Sequence, residues 1–124
     1  IDVKPVELKL LSEQRTISNM IFNMSFYQSE MLSETREASS FILYFVDEYD
    51  NRISDEVRII ADRDNPDDET DRRFEERFNL KAGNYDGKKS YYLMIIEENN
   101  KVVPEKIEFS IDIPFATGEY DFFS

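Results

Sequence analysis

The sequence predicts an all-β fold, an immunoglobulin-like antiparallel β-sandwich of about seven strands. Three observations carry that prediction. Residues 41–46, Phe-Ile-Leu-Tyr-Phe-Val, are apolar at every position. Branched and aromatic side chains of this kind fit a pleated surface, and the unbroken run reads as a strand covered on both sides or central in its sheet. Residues 106–113 alternate, with Ile107, Phe109, Ile111 and Ile113 inward and Glu108, Ser110 and Asp112 outward. Between such runs lie short segments rich in Asp, Asn, Gly and Ser, which satisfy tight turns through their own side chains or through freedom in φ.

Taken in order, residues 1–5 are a lead-in. Over 6–11, Val6, Leu8 and Leu10 share one face of a first strand. Residues 12–15 are a polar turn. A long strand over 16–28 places Met20, Phe22, Met24 and Phe26 on one face, with Asn19, Asn23, Ser25 and Tyr27 mostly on the other. The polar segment 29–40 reads as a loop, with a short helix through Met31 and Leu32 as an alternative. After the strand at 41–46, residues 47–52 make a hairpin-like connection. Val57, Ile59 and Ala61 then line one face of a strand over 53–61. Residues 62–71 hold many acids, a Pro and no apolar side chain, so they form a solvated loop.

In 72–81, Phe74 and Phe78 suit a helix face or a strand, and Leu80 continues the alternation of Phe74, Glu76 and Phe78, which favours a strand. Residues 82–87 read as a loop with two Gly. A strand over 90–97 carries Tyr91, Leu93 and Ile95 on one face and Tyr92, Met94 and Ile96 on the other. Residues 98–101 are its turn. Pro104 removes a ladder donor and places 102–104 at an edge or bulge, and Pro114 ends the last strand. Tyr85 or Tyr91 is placed to act as the corner tyrosine of an immunoglobulin-like sandwich, or to be a partly buried Tyr with its hydroxyl in water.

The length, 124 residues, suits one domain over 1–124. The chain starts with Ile rather than Met and so reads as a segment cut from a longer one. A hydrophobic share of 40% argues against disorder. Cys and His are both absent. That removes disulfides and thiolate sites, the usual zinc ligand and the commonest general base. Fifteen basic against 27 acidic residues give a net charge of −12, which repels phosphate backbones and anionic headgroups. Nucleic-acid and membrane binding are therefore not expected. No apolar run approaches a membrane span.

Three places invite chemistry. Asp62, Asp64, Asp67 and Asp68, with Glu69 and Asp71, offer hard oxygen ligands for calcium. The spacing misses the helix-loop-helix pattern, and Arg63, Arg72 and Arg73 partly neutralise the group, so a solvated loop guarding a sheet edge is the competing reading. Asp47, Glu48 and Asp50 form a second carboxylate group, but they sit in one short turn where backbone reasons already call for Asp. No catalytic residue and no cofactor site emerges. The tail carries Phe115, Tyr120, Phe122 and Phe123. Left in water, Phe122 and Phe123 would each forgo on the order of 2 kcal/mol of burial. They either fold back on their own sheets or serve as an interaction surface.

Certain residues together carry a resemblance. They are 41–51 continuing into Ile53-Ser54-Asp55-Glu56-Val57, then Phe78-Asn79-Leu80, Asn84-Tyr85-Asp86 and Tyr91-Tyr92-Leu93. The run Phe109 to Phe115 and the terminal Asp121-Phe122-Phe123 complete the set. This set resembles the C-terminal segment of PglZ-type proteins, the alkaline-phosphatase-like component of bacterial BREX phage-defence systems. The resemblance implies a cytoplasmic bacterial parent with a metal-dependent hydrolase-like domain upstream. It implies no catalytic residue here, because nothing in the chain matches a metal-binding motif of that superfamily. The expected role is a non-catalytic accessory β-sandwich that packs on other domains of its parent or on defence-complex proteins. The alternative is an extracellular immunoglobulin-like adhesion or carbohydrate-binding module, stabilised by calcium in one version.

Overall fold

The computed structural model describes residues 3–12, 21–31, 35–63, 72–80, 84–86, 90–110 and 117–119. Among them the fold is all-β, with no α-helix. The strands are β1 (Lys4–Pro5), β2 (Leu8–Ser12), β3 (Ile21–Gln28), β4 (Arg36–Glu37), β5 (Ser39–Val46) and β6 (Val57–Ala61). They continue with β7 (Arg73–Asn79), β8 (Asn84–Asp86), β9 (Ser90–Glu97), β10 (Glu105–Ser110) and β11 (Thr117–Glu119).

Two larger sheets are antiparallel throughout. One runs β2-β3-β7, the other β10-β9-β5-β6. Strand β5 lies inside its sheet, with Leu43 opposite both Val57 and Ile95. Period-two alternation sets which side chains meet. Phe22, Met24 and Phe26 of β3 and Phe74 and Phe78 of β7 point the same way, toward Phe41, Leu43 and Phe45 of β5 and Leu93 of β9, in one buried cluster. Phe45 is the hub. Its ring lies 5.1 Å from Phe22, 5.2 Å from Phe78 and 5.9 Å from Phe109, centroid to centroid. Edge-on and tilted contacts of this kind suit the ring quadrupoles.

The two sheets are also tied by polar groups. Asp55 accepts from the Asn79 N–H at 2.8 Å and from its side-chain amide at 2.9 Å, while the Asp55 N–H donates to the Asn79 carbonyl at 3.1 Å. Ser54, wholly buried, accepts from the Phe45 N–H and donates to the Asp55 carbonyl, both at 2.8 Å. Gln28, equally buried, holds the residue after β6: its amide donates to the Arg63 carbonyl at 2.6 Å and its oxygen accepts from the Arg63 N–H at 3.1 Å.

Several expectations need correction. Strand β5 is not covered equally on both sides: Ile42 and Tyr44 face outward and are only half-buried. The segment 29–40 is not a plain loop. It holds β4 and the first residues of β5, and β4 pairs with β1 in parallel, Lys4 opposite Arg36. That pairing departs from a purely antiparallel fold, and it arises because the Lys4 and Val6 N–H groups need acceptors, which they find in the Thr35 and Glu37 carbonyls at 3.1 and 2.9 Å. Residues 84–86, expected in a loop, form β8 and pair with β11. Met31 is not helical, and Leu32 lies outside the described residues.

Candidate functional site

Of the calcium candidates, only Asp62 lies among the described residues. Asp62 is exposed next to β6, and Asp64, Asp67 and Asp68 lie outside the described residues. No group of three or more potential metal ligands occurs among the described residues. Two flanking arginines make contacts with the fold. Arg63 lays its guanidinium 4.0 Å from the Phe74 ring centroid and donates to the Arg73 carbonyl at 2.7 Å. Arg72, only 3% exposed, donates to the Tyr27 hydroxyl and lies 3.7 Å from Glu30.

The hairpin carboxylates hold a turn. Asp47 accepts from the Tyr49 and Asn51 N–H groups at 2.8 and 2.9 Å. Asp50 sits in the left-handed region at φ 63°, which short polar side chains tolerate, and takes Lys106 at 2.8 Å. That hydrogen bond raises the Lys106 pKa above the ordinary lysine value. A second turn, after β9, is built around Glu97, which is buried and accepts from the Asn99 and Lys101 N–H groups. Lys101 in turn donates to Glu37, which raises its pKa. Sequence patterning misses the structural use of Gln28, Ser54, Arg72 and Glu97, because each partner lies on another strand or turn and alternation reports only the face.

The interaction candidates Phe115, Tyr120, Phe122 and Phe123 lie outside the described residues. A different surface stands out: the outer face of the four-stranded sheet. Ile42 is opposite Ile96, and Tyr44 is opposite Met94. Tyr92 extends the row, and Ile60, 53% exposed, lies beside it on β6. Charge rims this face and is paired within it. Arg52 stacks 3.9 Å from the Tyr44 ring centroid and pairs with Glu56, Arg58 forks onto Glu98, and Lys106 lies 4.5 Å from the Tyr92 centroid. A concavity of about 430 Å³ opens there, lined by Tyr44, Val46, Asp50, Arg52 and Met94. Another, also about 430 Å³, lies at the end of the core beneath Pro5, Arg36, Phe41, Ile95, Glu97 and the exposed Val103. Arg36 and Lys9 there both reach Glu7, at 3.2 and 3.4 Å.

No family model matches the chain, and no solved structure matches it. A curated protein does: the alkaline phosphatase-like protein PglZ of Bacillus cereus (strain H3081.97) is 42% identical over 123 residues, which is 98% of this chain. The chain belongs with PglZ-type proteins. It spans 14% of the length of that relative, so it corresponds to a domain-sized part of a PglZ-type protein. No helix among the described residues of this PglZ-type segment is long and apolar enough to cross a membrane.

Proposed function

We propose that this segment is a non-catalytic accessory domain of immunoglobulin-like type, packing within a PglZ-type protein or its phage-defence assembly in the bacterial cytoplasm. The observation that carries the proposal is the mismatch of coverage. Identity runs along 98% of this chain but only 14% of an alkaline phosphatase-like relative. A segment of that share, without His or Cys, serves the parent by contact rather than by bond-breaking.

Strand order supports the immunoglobulin-like reading. Counting only β2, β3, β5, β6, β7, β9 and β10, the first, second and fifth form one sheet, and the seventh, sixth, third and fourth the other. This is the Greek-key connectivity of such sandwiches, with the fourth strand paired to the third instead of joining the first sheet. The burial of Tyr91, second residue of the sixth of these strands and 2% exposed, is consistent with a corner tyrosine there.

The test has two arms. The 124-residue chain, assayed on a phosphate monoester with zinc, magnesium or calcium added, gives no turnover; turnover that copurifies with it refutes the proposal. Deleting the segment from the full-length protein lowers its thermal stability or its assembly with partner proteins. A deletion that changes neither also refutes it.

A further inference from the structure

The two outer faces of the larger sheets differ in kind, and the difference marks a docking surface. On the three-stranded sheet the outward row follows the rule for a solvated face. Asn23 and Ser25 of β3 sit opposite Arg77 and Glu75 of β7, and Ser25 donates to Glu75 at 2.6 Å. On the four-stranded sheet the corresponding positions of the two inner strands are Ile42, Tyr44, Tyr92, Met94 and Ile96. On the two outer strands this face carries Arg58 opposite Ile42, Lys106 opposite Met94 and Glu108 opposite Tyr92, so the apolar row is confined to the inner pair.

We propose that the outer face of the four-stranded sheet, centred on Tyr44, Met94 and Ile96, is where another domain of the same PglZ-type polypeptide packs; this rests on the accessory-domain reading above. An apolar centre inside a polar rim is how protein interfaces are built. The rim offers no unbalanced cation for a phosphate or headgroup, because Arg52, Arg58 and Lys106 already pair with Glu56, Glu98 and Asp50. The concavity beside Tyr44 and Met94 is a receptacle for a side chain from the covering domain. Size selects a tethered occupant over a free one. Four strands about 4.8 Å apart, over some six residues at about 3.4 Å, present roughly 400 Å². A stable complex between separate chains needs about 800 Å² per partner, whereas domains of one chain pack through less, aided by an effective concentration in the millimolar range. The relative supplies the occupant's source, since this segment matches only 14% of it.

Hydroxyl-radical footprinting of the full-length protein tests this. Met94 and Tyr44 report the proposed face. Tyr27, outward on the three-stranded sheet, and Met31 are half-buried comparators, and buried Met24 is the floor. Met94 is expected to be modified at the Met24 level, on the order of tenfold slower than Met31, with Tyr44 protected relative to Tyr27. Met94→Glu in the full-length protein is expected to expose Tyr44 while Met24 stays protected. If Met94 and Tyr44 react like their comparators while Tyr27 is shielded, the face is wrong and the accessory reading survives. If both faces react freely, the tethered-domain proposal fails, and the accessory reading is judged by the deletion test above. If the protection disappears on dilution, the occupant is a separate molecule and the tethered-domain proposal is overturned.

Discussion

Phe45 is the residue whose removal should hurt most. Its side chain is completely buried, and its ring meets Phe22, Phe78 and Phe109 from three other strands. Truncating a buried Phe to Ala costs about 3–5 kcal/mol through lost transfer free energy and the cavity left behind. Each well-placed ring pair adds about 0.5–1.5 kcal/mol beyond burial, so Phe45→Ala belongs at the upper end, near 5 kcal/mol. That is a large share of the roughly 5–15 kcal/mol that holds a domain together. Phe45→Leu keeps most of the buried area but forfeits the ring geometry, and is expected to cost about 2–3 kcal/mol. Phe41→Leu is the control: Phe41 is 4% exposed in the same strand but lies at the lip of the end cavity, and about 1 kcal/mol is expected. Equilibrium unfolding in urea reads these values. With a slope of about 2 kcal/mol per molar, Phe45→Ala lowers the midpoint by over 2 M. A Phe45→Leu cost no larger than that of Phe41→Leu refutes the hub. So does a Phe22/Phe45 double-mutant cycle with no coupling.

Ser54→Ala leaves the buried Phe45 N–H without its acceptor, at about 1–3 kcal/mol; an unchanged urea midpoint shows that the bond is not needed. Glu76 faces the core side of β7, and desolvation raises its pKa above the ordinary carboxylate value of 4.5 against the opposing pull of Arg63. The folded state therefore holds this proton more tightly than the unfolded one, and Glu76 erodes stability as pH rises through its unfolded and then its folded pKa. Glu76→Gln is expected to be more stable than the parent at neutral pH, with the advantage shrinking as pH falls through the raised folded pKa and gone below 4.5; melting curves across that range check the sign, and a less stable variant at neutral pH refutes it. Calcium, followed by chelator, is expected to leave the melting transition in place. A ligand held only by the native state must raise it, so a rise would restore Asp62 and its neighbours as a site.

Much of the fold is legible in the sequence. The alternation over 90–97 gives β9 to the residue, and the inward rows of β3 and β7 appear as Phe22, Met24, Phe26 and Phe74, Phe78. Those signals are strong because a large side chain every second residue leaves little choice of face. What is not legible involves a partner distant in sequence. The β1–β4 and β8–β11 pairs are two or three residues long, too short for periodicity to register. Gln28 falls on an inward position where the pattern asks for an apolar residue, and it is there because the Arg63 backbone needs bonds; Ser54 likewise serves the Phe45 N–H, whereas Glu97 holds its own turn and is missed because alternation reports only the face. Arg72 looks in sequence like a counter-ion for the acidic loop. Its burial beside Tyr27 depends on how β3 and β7 come together.

The reading of residues 41–46 as covered on both faces or central in the sheet holds in its second form, since β5 lies between β9 and β6. Hydrophobic patterning reports every surface a strand will bury, whether the cover is its own sheet partner or another domain. Inward, Phe41, Leu43 and Phe45 find their cover in β3 and β7. Outward, Ile42 sits between Ile96 and Arg58, and Tyr44 lies opposite Met94 with Arg52 on its ring. Strand β9 shows the same split, with Tyr91, Leu93 and Ile95 buried and Tyr92, Met94 and Ile96 half-buried. Two adjacent inner strands carry the same excess of outward apolar residues, and neither row contributes to the buried cluster among the described residues. A second layer against that sheet, as proposed above, would account for both rows.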